Sequence, residues 1–318
     1  MYFLNKNKII ADSKPKNKSS LYNLYFWKLI DKCFVIIGIF IVCSSFIIPE
    51  NEKNTGNVSL GTIIKFNEIV NKSKNENWRD LPIGDLTAKI ALEFLGTPYQ
   101  DRTLEGEPET CRVNFEGLDC VTLFENSLDF ARILKLDRLE IDNLINELTK
   151  TRYRNGKIID YTSRLHYTAD WIYENKNHKV INDITRALGG RKIRFNCNFM
   201  SQNPQYYNSL KNNPKLIPQI KQIEDSINAR EYYIIDKDNI SKIEKYLESG
   251  DIIAVVTSKK GLDYSHTGLI YKDSLGLARF LHASSRARRV VLDTTLSVYL
   301  SKIPSDLGVT ILRPNEPN

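Results

Sequence analysis

Apolar positions recur at helical spacing in the first half of the chain and at strand spacing near its end. In LTAKIALEFLGTPY (86–99), Leu86, Ile90, Leu92 and Phe94 precede Gly96 and Pro98, which predicts a helix with a defined stop. A charged loop follows from Gln100 to Glu116. From Cys120 onward, Leu123, Phe124, Leu128, Ala131 and Leu134 fall three and four residues apart, so this helix turns one face to a core. LEIDNLINELTK (139–150) predicts a second helix, and Tyr153 to Asp236 reads as short helices and loops, punctuated by Gly189-Gly190 and by prolines at 204, 214 and 218. Then the period changes. DIIAVVT, HTGLIYK, ARFLHAS, RVVLD and VTILRP are five strand-like runs separated by turn residues, which predicts an antiparallel sheet. No internal repeat, Walker loop or GxGxxG is present.

With 318 residues, 42% apolar and 26% charged, the chain can bury the core of one large domain. Its net charge of +7 is unevenly placed, because residues 1–32 hold seven lysines against two aspartates and so carry five of the seven net charges. The excess belongs to a leader, and a nucleic-acid partner is not expected. Cys33–Ile48 has no charge in 16 residues and as a helix spans ~24 Å, short of the roughly 30 Å bilayer core. A basic flank before a short apolar run predicts a signal sequence. Counting from residue 29 to 48 gives a marginal membrane anchor instead. Both readings export the body to the periplasm or cell envelope. No small residue stands immediately before Cys43, which argues against lipidation. The expected organisation is a leader over 1–49, a polar linker and N-terminal extension over 50–79, and one domain over 80–318.

Outside the leader the cysteines are Cys111, Cys120 and Cys197, an odd number, so at least one thiol is unpaired. Gly117 and Asp119 are helix-start residues that place Cys120 in the first turn, where free amides and the helix dipole favour a thiolate. Alone this is weak, since a cysteine there is more often packing. The chain has only four histidines, and two lie in the predicted sheet: His266 in HTGLIYK and His282 in ARFLHAS. If those runs pair through DSLG, two imidazoles project from neighbouring strands toward one place, giving a thiol its base and an orienting group.

LGTPY (95–99), LDC (118–120), the GD at 250–251, SHTGLIY (265–271) and FLHAS (280–284) resemble landmarks of the NlpC-type, papain-like cell-wall hydrolases. The resemblance runs from about residue 80 to the end of the chain. It implies an α+β fold with a nucleophile-bearing helix on an antiparallel sheet, the catalytic set Cys120, His266 and His282, and no cofactor. By the same resemblance Tyr99 stands near the nucleophile, Asp119 is the acid beside it, and Ser265 joins the substrate-binding residues. Two departures stand out. Cys120 and His266 are 146 residues apart, far more than in small members, which leaves an insertion over about 137–245 expected to be mainly helical. DCVT also replaces the usual cysteine-serine pair.

SRLHYTADW (163–171), NCNFMSQNP and the GVTILRP ending resemble one branch, long catalogued as a domain of unknown function and associated with N-acetylmuramoyl-L-alanine amidase activity. That implies a peptidoglycan or muropeptide substrate, with a preference for anhydro-sugar ends. Within the insertion, Arg164 and His166 are expected to bind substrate carboxylates, beside Tyr167 and Asp170; His178 reads as plain surface. The expected chemistry is a Cys120 thiolate held by an imidazolium at His266, with the Cys120 amide as oxyanion donor. Three alternatives remain at this level: a γ-D-glutamyl-diamino-acid endopeptidase of the same fold, a zinc amidase using the same three side chains, and a non-catalytic glycan-binding module tethered to the membrane.

Overall fold

The computed structural model describes residues 58–317, so the expected leader and polar linker lie outside the described residues. The first described helix, α1 (Leu60–Asn75), starts where the Ser59 side chain accepts from the Thr62 N–H. It buries Phe66, Ile69 and Val70, and the Phe66 ring lies 4.8 Å from that of Phe130. The stretch expected as an extension ahead of the domain therefore shares the domain's core. After it come α2 (Ile83–Leu92), α3 (Cys120–Lys135), α4 (Ile141–Arg152) and α5 (Thr168–Asn177).

The sheet has eight strands: β1 (Ile181–Asp183), β2 (Arg191–Ile193), β3 (Tyr232–Asp236), β4 (Ile252–Thr257), β5 (Tyr264–Lys272), β6 (Ala278–Ser284), β7 (Arg289–Thr295) and β8 (Asp306–Pro314). Their order is β2-β3-β8-β4-β5-β6-β7, with β1 also on β8, and every pairing is antiparallel. The α+β architecture expected from the pattern is the one found, and the five predicted runs are β4 to β8. The insertion departs from expectation by adding β1, β2 and β3 to the sheet. These strands have three, three and five residues, too short for alternation to show above the surrounding loops.

The sheet is covered on both faces. Ala254, Val256, Leu269 and Leu281 share a core with Leu123, Phe124 and Leu128 of α3, while Ile253, Val255, Ile270 and Phe280 share another with Leu296 and Leu300. All six residues of β4 are buried, which explains why its sequence is continuously apolar instead of alternating. Among the described residues, no helix is long and apolar enough to cross a membrane.

Candidate active site

The start of α3 is fixed by its own sequence. Asp119, in extended conformation at the N-cap, accepts from the N–H groups of Val121 (3.0 Å) and Thr122 (2.7 Å), and its own N–H donates to Thr122 Oγ1 (2.9 Å). This reciprocal cap stabilises the helix start by ~1 kcal/mol and sets Cys120 at its first residue. Asp119 is thus the capping carboxylate of α3, and the cap uses its Oδ1. The hydroxyl of Thr267, on β5, donates to the Cys120 carbonyl (2.7 Å) and fastens the helix start to the sheet. Burial, then the Asp119 carboxylate, push the Cys120 thiol up to about 11, outweighing the hydrogen bonds from Thr267 that favour the thiolate.

β5 and β6 pair with Leu269 opposite Leu281, which sets Gly268 opposite His282 and His266 on the diagonal of the same face. His266 Nε2 and His282 Nδ1 meet at 2.7 Å. Gly268 makes the room: a Cβ there would come within 2.9 Å of the His282 Cβ and 2.6 Å of the Phe280 ring. Phe280 stacks on His282 with centroids 4.6 Å apart, and Tyr299 packs against both rings, edge-on to His282 at 5.0 Å and 4.7 Å from Phe280. His282 is 2% exposed, and its Nε2 has no hydrogen-bond partner among the described residues. Asp293 on β7 stands 3.6 Å from that nitrogen, a charge contact rather than a hydrogen bond. The carboxylate favours the proton on His282 Nε2, leaving Nδ1 to accept. His266 then donates through Nε2 and keeps a free lone pair on Nδ1. Burial, then the His282 ring, push His266 down to about 3, while burial brings His282 to about 4 against the pull of Asp293. The free site therefore favours a thiol and a neutral imidazole, not the ion pair that the helix start alone suggested.

Cys120, Ser265, His266 and Thr267 line a cavity of ≈ 230 Å³ whose far side is formed by Glu105, Tyr161, His166 and Tyr207. Ser265 donates to Asp306 (3.2 Å) at the edge of this space. His166 faces the cavity with its Nε2 2.7 Å from the Tyr161 carbonyl. A carbonyl only accepts, so Nε2 carries the proton; burial and the Arg164 charge hold the ring down to about 3, hence neutral. It offers a substrate no positive charge. Arg164 is 4% exposed and contacts Glu105 (2.6 Å), Glu109 (3.5 Å) and the Leu104 carbonyl (2.6 Å). Its guanidinium straps the Gln100–Glu116 loop to the insertion and is not free for the carboxylate expected of it. Asp170 likewise is paired with Arg154 and Arg230. Tyr99 lies outside the cavity lining yet near Cys120: its hydroxyl is pushed up to about 12 by burial and by the charges of Cys120 and Asp119.

The structure brings together Cys120, His266, His282, Ser265 and His166, places Asp119 at the cap beside Cys120, and buries Arg164 among carboxylates. Asp293, Tyr299, Thr267 and Glu105 were not read from the sequence. Asp293 alone left a signal, as an acid closing RVVLD in the run after FLHAS. Cys111, Cys120 and Cys197 are all free thiols. The zinc alternative fits poorly, because facing nitrogens of His266 and His282 hold one another, and among the described residues no cluster of three metal-ligating side chains forms.

The family described as N-acetylmuramoyl-L-alanine amidase-like, AmiA-like, matches residues 89–309. A crystal structure of an N-acetylmuramoyl-L-alanine amidase from Bacteroides uniformis is 33% identical with a TM-score of 0.69, covering 73% of this chain and 99% of its own. A second from that organism is 31% identical with a TM-score of 0.66, over 73% of this chain and 100% of its own. A Legionella pneumophila protein at 21% identity and TM-score 0.58, over 80% of this chain and 98% of its own, shares the fold. No curated protein matches the chain. With the match spanning α3, the insertion and the histidine strands, the chain belongs to the AmiA-like family of N-acetylmuramoyl-L-alanine amidase-like hydrolases.

Proposed function

We propose that the protein is a cysteine amidase that splits the amide between the lactyl group of N-acetylmuramic acid and the L-alanine of the peptide stem. One observation carries this: a helix-start cysteine lines the same cavity as His266, which a buried second histidine backs, in a chain whose family and solved relatives are amidase-like. The Cys120 sulfur attacks the carbonyl carbon while its proton passes to the free Nδ1 of His266. The oxyanion is met by the Cys120 N–H, the amide at the start of α3 that the Asp119 cap leaves unused. As the C–N bond breaks, His266 returns that proton to the leaving amine, and a thioester remains on Cys120. Water then attacks the thioester and gives a proton to His266. The sulfur leaves, taking the proton back as the thiol, with the lactyl acid as the other product. Burial favours the neutral forms of both Cys120 and His266, so His266 acts as a base during attack rather than as half of a standing ion pair.

Mass spectrometry of defined muropeptides incubated with the full chain tests the bond. Free stem peptide and intact sugar acid are expected. Products cut only after D-glutamate would sink the assignment in favour of the endopeptidase alternative.

A further inference from the structure

The β6–β7 turn, residues 285–288, and the first residue of β7 are exposed and carry Arg286, Arg288 and Arg289. Among the described residues none of the three is ion-paired, whereas Arg152, Arg164, Arg230 and Arg313 are each held by carboxylates. Arg288 adopts φ 58°, a left-handed conformation that glycine or asparagine takes at lower cost. An ordinary solvated turn has no need of an arginine there. The turn is also braced, since the Ala287 N–H donates to Ser284 Oγ (3.1 Å).

Its position relative to the nucleophile follows from main-chain bonds. The Tyr99 N–H donates to the Arg288 carbonyl (2.9 Å), and the Val290 N–H donates to the Thr97 carbonyl (2.9 Å). On its other edge the same segment is laced to Leu118, two residues before Cys120, by Leu118 N–H to Pro98 O (3.0 Å) and Gln100 N–H to Leu118 O (3.0 Å). The turn thus lies two strand spacings from the helix start, roughly 10 Å, within the span of a short peptide. The Tyr99 ring stands between, 5.9 Å from the Arg288 guanidinium.

We propose that this turn is a binding rim for the carboxylates of the acidic peptide stem. The inference rests on the amidase reading above and orients the substrate in it. The cavity past Cys120 is walled by tyrosines and a neutral imidazole, and among the described residues its only charged side chains are the acids Glu105 and Asp263; it suits the uncharged sugar and disfavours carboxylates, so the peptide leaves on the Tyr99 side. There three guanidiniums meet the carboxylates of its glutamate and terminal residue.

The test compares kcat/KM on two muropeptides that share sugar and sequence, one with free and one with amidated stem carboxylates. The native enzyme should favour the free form about 10-fold, the product of exposed charge contacts each worth a few-fold. Added salt should narrow the gap. Arg286→Gln/Arg288→Gln/Arg289→Gln should bring the ratio to about 1, chiefly through KM. Arg288→Gly should melt higher, by relief of the left-handed residue, while losing part of the preference. A native ratio near 1, or one unchanged in the triple variant, overturns the rim and leaves the amidase reading standing. Absence of free stem peptide from either substrate overturns both. If the triple variant keeps its preference but loses sedimentation with anionic phospholipid vesicles, the turn is a membrane contact and the proposal is wrong.

Discussion

β5 and β6 hold His266 and His282 by strand register, whereas the insertion holds Tyr161 and His166 by buried charge. In the sheet, two diagonal positions and one glycine bring the rings to 2.7 Å. Across the cavity, Arg164 is buried against Glu105 and Glu109, Arg154 and Arg230 converge on Asp170, and Tyr167 donates to Glu224 (2.8 Å). The two walls should therefore fail differently. Side chains on the sheet can be changed with loss of chemistry and little loss of fold, because the backbone ladder places them. A wall of buried ion pairs depends on every partner, since removing one leaves an unpaired charge inside.

The largest effect tests the sheet side. Cys120→Ala and His266→Ala should each lower kcat by about 10⁴-fold, the double variant little more, and none should shift Tm appreciably, because groups acting as a unit are not additive. Alkylation of native Cys120 by iodoacetamide should be slow at pH 6–8 and rise steadily toward pH 10, since the thiolate fraction grows as pH approaches about 11. A fast rate already flat at pH 6 would restore the standing ion pair.

Arg164→Met breaks the comparison from the other side. With Glu105 and Glu109 left facing one another, the cost should be ~3–5 kcal/mol of stability, read as a fall in Tm. Adding Glu105→Gln and Glu109→Gln should recover much of it, because the charges that repel are gone. Were Arg164 instead a substrate anchor, the single variant would keep its Tm and raise KM.

The same contrast decided what the sequence disclosed. The α3 stripe, the five strand runs, and the placing of Cys120 at a helix start and of His266 beside His282 were legible because each is a local pattern: a helix period, a strand period, a cap beside a thiol. Arg164 was misjudged because a guanidinium in a dense polar run looks the same exposed or buried. Its acidic partners at 105 and 109 lie some sixty residues away, in a loop with no period. Phe66, Ile69 and Val70 of α1 were overlooked for a similar reason, as their stripe is narrow and runs through a lysine- and asparagine-rich segment that reads as linker. β1 to β3 join the sheet only through long-range pairing with β8 and with each other.

Asp293 supplies the smallest expected effect and the finest discrimination. β6 and β7 pair with His282 opposite Val291, which puts Asp293 two residues on, along the same face, with its carboxylate 3.6 Å from His282 Nε2. If it sets the direction of the imidazole chain, Asp293→Asn should lower kcat by about 10-fold, or 1.4 kcal/mol, far less than loss of His266. The pH profile separates this role from packing. A negative charge beside the pair stabilises its protonated form, so the native acid limb, set by His282 near 4 and His266 near 3, is already raised by Asp293. Removing the charge must move that limb to lower pH while the plateau drops; Asp293→Glu, which keeps the charge, should hold the limb in place. A lower plateau with an unmoved limb in Asp293→Asn would make Asp293 a packing residue, and the orientation of His266 would then rest on His282 and the aromatic walls of Phe280 and Tyr299 alone.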